Sequence, residues 1–270
     1  MIIFNKVTKK FGDITALEDI SFEVEKGEFV FLTGHSGAGK STLIKLILGE
    51  YLPTSGDIDI NGEKITKIPR RKLYLWRRKL GVVFQDYKLF WDRTVFENVA
   101  LPLQILNEKQ REINEKVEKM LELVGLEERA HLFPAQLAGG EMQRVAIARS
   151  VITAPELLLA DEPTGNLDPK TSAGIMRLLK EINAKGTTIL MATHNFEIVD
   201  SFKTRIVELE KGRLCRDEKE AKYFKDEDRD KDKEDHVKDN DSEKEDNERK
   251  KEIEKEDREK DKVKEKEKKD

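Results

Sequence analysis

Residues 34–42 read GHSGAGKST. This fits the spacing G-x-x-x-x-G-K-[ST], whose chemistry is phosphate binding. Gly34, Gly37 and Gly39 let backbone N–H groups turn inward around phosphate oxygens. His35, Ser36 and Ala38 fill the positions between them, His35 at a variable one. Lys40 can reach the β and γ oxygens. The Ser41 hydroxyl can ligate Mg²⁺, and Thr42 closes the motif. A second group of chemistry-bearing residues lies in LLLADEP (157–163). Asp161 and Glu162 stand at the end of a buried strand, at the mouth of a parallel sheet beside the phosphate loop. There Asp161 can hold Mg²⁺ through water, and Glu162 can polarise an attacking water. Alone, the pair also reads as a helix N-cap with Pro163 at the first helical position; the phosphate loop upstream decides between the two. His194 ends another apolar run, TTILMAT, where a histidine can hydrogen-bond a γ-phosphate. His131 and His236 look incidental, and four scattered histidines with one cysteine make no metal-ligand cluster.

A third group is LAGGEMQRVAIARS (137–150). Gly139 and Gly140, flanked by Ala138 and Glu141, stand where a helix should begin. A backbone that bare at a helix start usually faces an anion, because free N–H groups and the positive dipole end point outward there. No lysine accompanies it. Such a site is worth about 0.3–1 kcal/mol, or ~2 kcal/mol when partly buried, too little to hold a nucleotide alone.

These groups need strands and helices to position them. MIIFNKVTKKF and ALEDISFEVEKGE read as strands, with Ile20, Phe22 and Val24 alternating with polar residues. FVFLTG (29–34) and LGVVFQ (80–85, ending on Gln85) are continuous apolar runs of the buried kind. STLIKLILGE (41–50) is a helix with Leu43, Leu46 and Ile47 on one face, and SGDIDINGEKI carries a hairpin signal at Asn61-Gly62. Residues 86–150 change character and read as a helical insertion. Ile113, Val117, Met120, Leu121 and Val124 recur at helical spacing, Asn107 and Gln110 are placed as a capping box, and Gly125 fits the stop. ELLLAD and TTILMAT return as buried strands with a helix near 169–184 between them, and RIVELEKGRL closes as a hairpin-like pair.

Composition splits the chain at residue 216. Residues 1–216 hold 32 Lys+Arg and 30 Asp+Glu, a net charge of +2. Residues 217–270 hold 19 and 25, a net charge of −6, with 44 of 54 residues charged. The first part is long enough for one α/β domain with an inserted sub-domain, and its near-neutral balance gives no support to nucleic-acid binding. The second cannot bury enough apolar surface to offset chain entropy and is expected to be a disordered tail. A lone Cys215 fits a reducing compartment. MIIFNKVTKKFG lacks the apolar core of a signal peptide, and no run approaches the roughly 18 apolar residues of a membrane span. Any membrane role is expected to go through a partner.

The order phosphate loop, Gln85, LAGGE, LLLADE, GNLD and His194 resembles the ATP-binding subunits of ABC transporters, over residues 1 to about 216. The resemblance implies an α/β fold: a P-loop NTPase core of RecA-like type, an N-terminal antiparallel β sub-domain and an inserted helical sub-domain at about 86–150. It implies ATP and Mg²⁺ as cofactors, with Ser41, Gln85 and Asp161 around the metal and Glu162, His194 and Gln85 in catalysis. Phe11 stacks on adenine, where the family usually has tyrosine. Asn166, Leu167 and Asp168 form a loop that crosses between subunits. Two copies form a homodimer head to tail in the ATP state, so that Ala138, Gly139, Gly140 and Glu141 of one copy meet the γ-phosphate held by the other copy's Lys40. The family usually has serine at position 138; its hydroxyl is missing here, which implies weaker ATP-driven dimerisation and slow turnover.

GHSGAGKST, DRTVFENVALPL and PTGNLD together are most similar to the cell-division ATPases of this family. That similarity implies a cytoplasmic protein, peripheral on the inner face of the cell membrane. Its integral membrane partner resembles FtsX and docks near residues 84–103, where Phe84, Tyr87, Leu89, Phe90, Trp91 and Phe96 suit a helix-in-groove contact, with about half of them expected in the sub-domain core instead. It also implies activation of peptidoglycan hydrolases. The rival readings are the ATPase of a lipoprotein-release or macrolide-export transporter, a soluble ATP-clamp acting on DNA or ribosomes, and a non-hydrolysing subunit. The short insertion and Glu162 speak against the last two.

Overall fold

The computed structural model describes residues 1–219. The chain enters as a long antiparallel pair, β1 (Ile2–Phe11) and β2 (Ile14–Val24), then drops into the core strand β3 (Phe29–Thr33), the phosphate loop and α1 (Lys40–Ile47). A hairpin follows, β4 (Ser55–Ile60) with β5 (Glu63–Lys64). Its turn is Asn61-Gly62, with φ of 53° and 81°, as a type I′ turn requires. A short helix α2 (Leu73–Arg77) leads to β6 (Leu80–Val83). The insertion holds α3 (Val95–Ile105), α4 (Gln110–Val124) and α5 (Gly139–Val151). The chain returns through β7 (Leu157–Asp161), α6 (Pro169–Ala184), β8 (Thr188–Ala192) and α7 (Phe196–Phe202), and ends on the antiparallel pair β9 (Arg205–Glu210) and β10 (Arg213–Glu218).

Two sheets result. The first is antiparallel, in the order β2-β1-β4-β5. The second has the order β10-β9-β3-β8-β7-β6, and its strands are parallel except β10. Every residue of β3 and of β8 is buried, as is all of β7 up to Asp161. That explains why those strands are unbroken apolar runs: helices and the first sheet leave them no wet face. The carboxyl ends of β3, β6, β7 and β8 point to one edge, where ligands bind in sheets of this kind.

Three local expectations change. Strand β10 carries the ordered chain to Glu218, past the boundary drawn at 216, because Arg205 chelates Asp217 (2.7 and 2.9 Å) while also pairing with Glu28 (3.0 Å). From residue 220 onward the tail lies outside the described residues. The Asn107/Gln110 capping box does not form: Lys109 is the N-cap of α4, Gln110 is its first residue, and the Gln110 amide donates to Asn114 instead (2.8 Å). A true capping box sits at α3, where Thr94 and Glu97 exchange bonds. Of the aromatics at 84–103, none is fully buried; Leu89 is core, while Phe90 and Trp91 stand 45% and 60% exposed.

Candidate functional site

The phosphate loop leaves β3 and enters α1 through glycines with no freedom to be anything else. Gly34 has φ 133°, and a Cβ there would fall 2.2 Å from the Leu209 carbonyl oxygen of β9. Gly39, the N-cap of α1, has φ 109°, and a Cβ would meet Leu17 Cδ2 at 2.6 Å. No side chain caps α1, so its first N–H groups stay open toward the loop. His35, Ser36 and Gly37 are exposed; Ala38 is buried and anchors the loop by accepting from Gly212 N (3.1 Å). Thr42 is half-buried at the first turn of α1.

Lys40 is only 6% exposed and its ammonium donates to the Gly34 and His35 carbonyls (2.5 and 3.0 Å). Burial lowers its pKa, while the nearby Glu162 and Asp161 carboxylates pull it back up. Ser41 Oγ donates to Asp161 Oδ1 at 3.4 Å, so residues 120 apart in sequence meet where the first turn of α1 faces the end of β7. Burial raises the Asp161 pKa; the Ser41 bond and Lys40 oppose this, and Glu162 adds to it. Glu162 follows with a positive φ of 49°, a strained conformation for a glutamate, fixed by its N–H donating to the Ala192 carbonyl of β8 (2.9 Å). This turn aims the carboxylate at His194, whose Nδ1 lies 2.8 Å from Glu162 Oε1. Gln85, exposed past the end of β6, brings its Nε2 within 3.1 Å of where a Cβ on Gly165 would stand; Glu162 Oε2 is 3.5 Å from the same point. Lys40, Ser41, Gln85, Asp161, Glu162 and His194 therefore converge on one edge. Phe11 lies at the end of β1, 40% exposed, edge-on to Tyr51 at 5.0 Å with Lys9 Nζ 4.8 Å over its ring.

The glycine pair is separate from this cluster. Ala138 is the N-cap of α5 and offers no side-chain oxygen; only the returning half of a capping box exists, Glu141 Oε2 accepting from Ala138 N (2.9 Å). The first intrahelical bond is Met142 N to Ala138 O, so the N–H groups of Gly139, Gly140 and Glu141 precede it. Packing adds a second reason for glycine, one the sequence did not disclose: a Cβ on Gly140 would fall 2.3 Å from Thr171 Cγ2. Asp168 caps α6 by accepting from Thr171 N (3.0 Å), and its bonds to Thr171 lower its pKa.

Two positioning residues escaped sequence reasoning. Asn98 is fully buried and bonds Phe90 N and the carbonyls of Phe90, Arg93 and Thr94, fixing the loop after β6. Arg149 of α5 donates to the Tyr87 and Lys88 carbonyls of that loop (2.9 and 2.7 Å). An asparagine hub and an arginine clamp carry no sequence pattern, because their partners are backbone groups.

The family profile described as ABC transporter matches residues 17–165. The chain belongs to the ABC transporter family of ATP-binding subunits. The cassette is 49% identical over 228 residues to the Mycobacterium tuberculosis protein named cell division ATP-binding protein FtsE, covering 84% of this chain and 99% of that one. It is 48% identical to the Escherichia coli protein of the same name, covering 79% and 97%. Among solved structures it is similar to the dimeric post-hydrolysis cassette MJ0796 bound to ADP and phosphate, with TM-score 0.74, 38% identity, and 82% of this chain and 99% of that one covered. CbiO1 from Clostridium perfringens aligns with TM-score 0.76 at 30% identity, covering 81% and 88%. The cassette is the ATP-binding and ATP-hydrolysing subunit of an ABC complex in cell division.

Among the described residues no helix is long and apolar enough to cross a membrane, and no group of three or more His, Cys, Asp or Glu forms a ready metal cage. A cation at this site has hard oxygen donors in Ser41 and Asp161, suited to Mg²⁺ shared with nucleotide phosphates.

Proposed function

We propose that the cassette works as a homodimer with two composite nucleotide sites, one half of each site supplied by each copy. The observation that carries this is the division of parts within one chain. The strand-end cluster holds every charged group needed for phosphoryl transfer to water, while the bare start of α5 bonds none of them.

In this reading Lys40 leaves the Gly34 and His35 carbonyls for the β and γ oxygens of ATP, and the open N–H groups of α1 cradle the phosphates. Ser41 and Asp161 would hold Mg²⁺, which would supply positive charge against the phosphates. Gln85 orients water and the metal shell. Glu162 accepts the proton of the attacking water, and His194 bonds Glu162 and the γ-phosphate. Phe11 covers adenine. From the second copy, the Gly139 and Gly140 N–H groups, with Ala138 and Glu141 beside them, close on the γ-phosphate, and Asp168 lies at the crossing loop. Loss of the γ-phosphate removes what α5 binds, and the dimer opens, an order-and-release switch.

The membrane partner is an integral subunit like FtsX, docked at the groove beside residues 84–103. A cavity of about 350 Å³ there is lined by Phe90, Leu101, Pro102 and Ile105, with Arg77 and Arg149 at its sides. The Arg149 contact ties α5 to the loop that follows Gln85, and Asn98 holds that same loop against α3 beside the groove. Nucleotide-driven motion passes through the membrane subunit to activate peptidoglycan hydrolases. Co-purification with the membrane subunit, followed by crosslinking from Trp91 or Ile105 (60% and 48% exposed), tests the docking. The expected result is a nucleotide-dependent crosslink to a cytoplasmic segment of that subunit; its absence from both positions sinks the groove assignment.

A further inference from the structure

From Lys64 to Gln85 the chain carries eight Lys and Arg residues and no Asp or Glu. Two of these cations are neutralised: Lys64 pairs with Asp57 (2.9 Å) and Lys79 with Glu63 (2.8 Å). Arg77 is spent on the end of α1, donating to the Leu48 carbonyl (2.9 Å). Arg70, Arg71, Lys72 and Arg78 are exposed, and among the described residues none has a carboxylate within ion-pair distance. Between them, Tyr74 and Leu75 stand 55% and 43% exposed, while Leu73 and Trp76 are buried. Helix α2 is thus held inward by two apolar side chains and offers outward two apolar tips among free cations. The Arg78 guanidinium lies 5.2 Å from the Tyr74 ring centroid, so both belong to the same outward face.

A cationic face with interleaved apolar tips matches the headgroup layer of an anionic bilayer, where charge attracts and short apolar side chains insert. A polyanion such as DNA would use the charge and leave Tyr74 and Leu75 without a role. The face is continuous with the groove assigned to the membrane subunit, since Arg77 and Arg78 line that groove too. It is also fastened to the nucleotide machinery: Trp76 Nε1 donates to Ile47 O (2.9 Å) and Arg77 to Leu48 O, both at the carbonyl end of the helix that begins with Lys40. We propose that residues 70–78 form an anionic-lipid contact surface through which the cassette itself touches the bilayer and is oriented on it. The inference goes beyond the docking of a membrane subunit; only the continuity of this face with the groove rests on that docking.

The test uses the full chain without its partner. Vesicles of phosphatidylcholine alone, or of phosphatidylcholine mixed with phosphatidylglycerol, are sedimented with the protein at low and high salt. The chain sediments with the mixed vesicles and not with phosphatidylcholine, and salt weakens the binding. Replacing Arg70, Arg71 and Lys72 with Gln weakens it about a hundredfold, at about fivefold per cation. The pair Tyr74→Ser and Leu75→Ser weakens vesicle binding while leaving retention on a duplex DNA column unchanged. Thermal midpoint and basal phosphate release report that both variants fold. Binding to neither vesicle, equal binding to both, or a triple variant that binds like the parent overturns the proposal. So does a Tyr74/Leu75 variant with unaltered vesicle binding, which leaves a generic polyanion site.

Discussion

Helices α1 and α5 both begin beside glycines with no side-chain cap bond, yet they are built on opposite plans. Around α1 the chain gathers a buried lysine, a serine, a histidine and two carboxylates, already bonded to the loop or to one another. Around α5 it gathers none of these; Glu141 turns back to its own cap, and Gly140 is pressed against Thr171. In the proposed composite site the first helix start is a holder and the second a detector. A dipole end worth about 0.3–2 kcal/mol cannot retain a nucleotide, but it can tell whether a phosphate held elsewhere is present.

The sharpest way to break this contrast is to disable the holder's chemistry while leaving its grip. Glu162→Gln keeps shape and hydrogen bonding and removes the base. Phosphate release should fall about 10²–10⁴-fold. Nucleotide binding should persist, and ATP-Mg²⁺ should accumulate a dimer visible by light scattering. A Glu162→Gln protein that stays monomeric with saturating ATP-Mg²⁺, with its membrane subunit bound, would falsify the division of labour.

The detector is probed by restoring what it lacks. In Ala138→Ser the new hydroxyl has two possible partners, which separate by condition. Contact with the partner copy's γ-phosphate tightens the ATP dimer by about 1.5–3 kcal/mol, or ~10–150-fold, and speeds turnover. Capping of α5 alone adds about 0.5–2 kcal/mol of stability with or without nucleotide. A rise in thermal midpoint with no change in ATP-driven dimerisation assigns residue 138 to the cap and removes it from the composite site.

Gly140→Ala asks whether the second glycine is bare for the anion or for the packing. The added methyl meets Thr171 Cγ2 at 2.3 Å, so destabilisation of about 1–3 kcal/mol is expected, roughly 2–12 °C in thermal midpoint. Adding Thr171→Ser removes the opposing methyl and should recover most of it. If the double variant regains stability but not ATP-driven dimerisation, both reasons hold. If stability never fell, the packing argument is wrong.

The holder was legible in the sequence and much of the detector was not, for a physical reason. A phosphate loop, a carboxylate at a strand end and an unbroken apolar strand are local patterns, and β3, β7 and β8 fall where FVFLTG, ELLLAD and TTILMAT placed them. The fit of Gly140 against Thr171 spans two helices and leaves no local trace. Helix α2, with two buried anchors in five residues, and α7, started by the Asn195 cap, are too short for periodicity to show. At α4, Asn107 and Gln110 had the right spacing, but Asn107 has φ 57° and lies two residues ahead of the cap. Spacing alone could not tell a turn residue from a capping one.

The smallest expected effect concerns what the holder costs the fold. Burial raises the pKa of Asp161, so the native state binds that proton more tightly than the unfolded chain does. The sign follows from linkage: the favourable contribution is complete below the ordinary carboxylate range, at about pH 4, and is lost as pH rises through the raised native value. Above the ordinary carboxylate range, ionising this group therefore costs more in the folded cassette than in the unfolded chain. Asp161→Asn removes that penalty. Thermal unfolding of the nucleotide-free protein should show the Asn variant more stable at neutral pH, with the advantage shrinking on acidification as Asp161 itself takes up a proton. Magnesium-dependent hydrolysis should be lost in the same variant. An Asn variant equal to the parent at every pH would mean that Ser41 and Lys40 already offset the burial, and that this half of the site is held at no expense to stability.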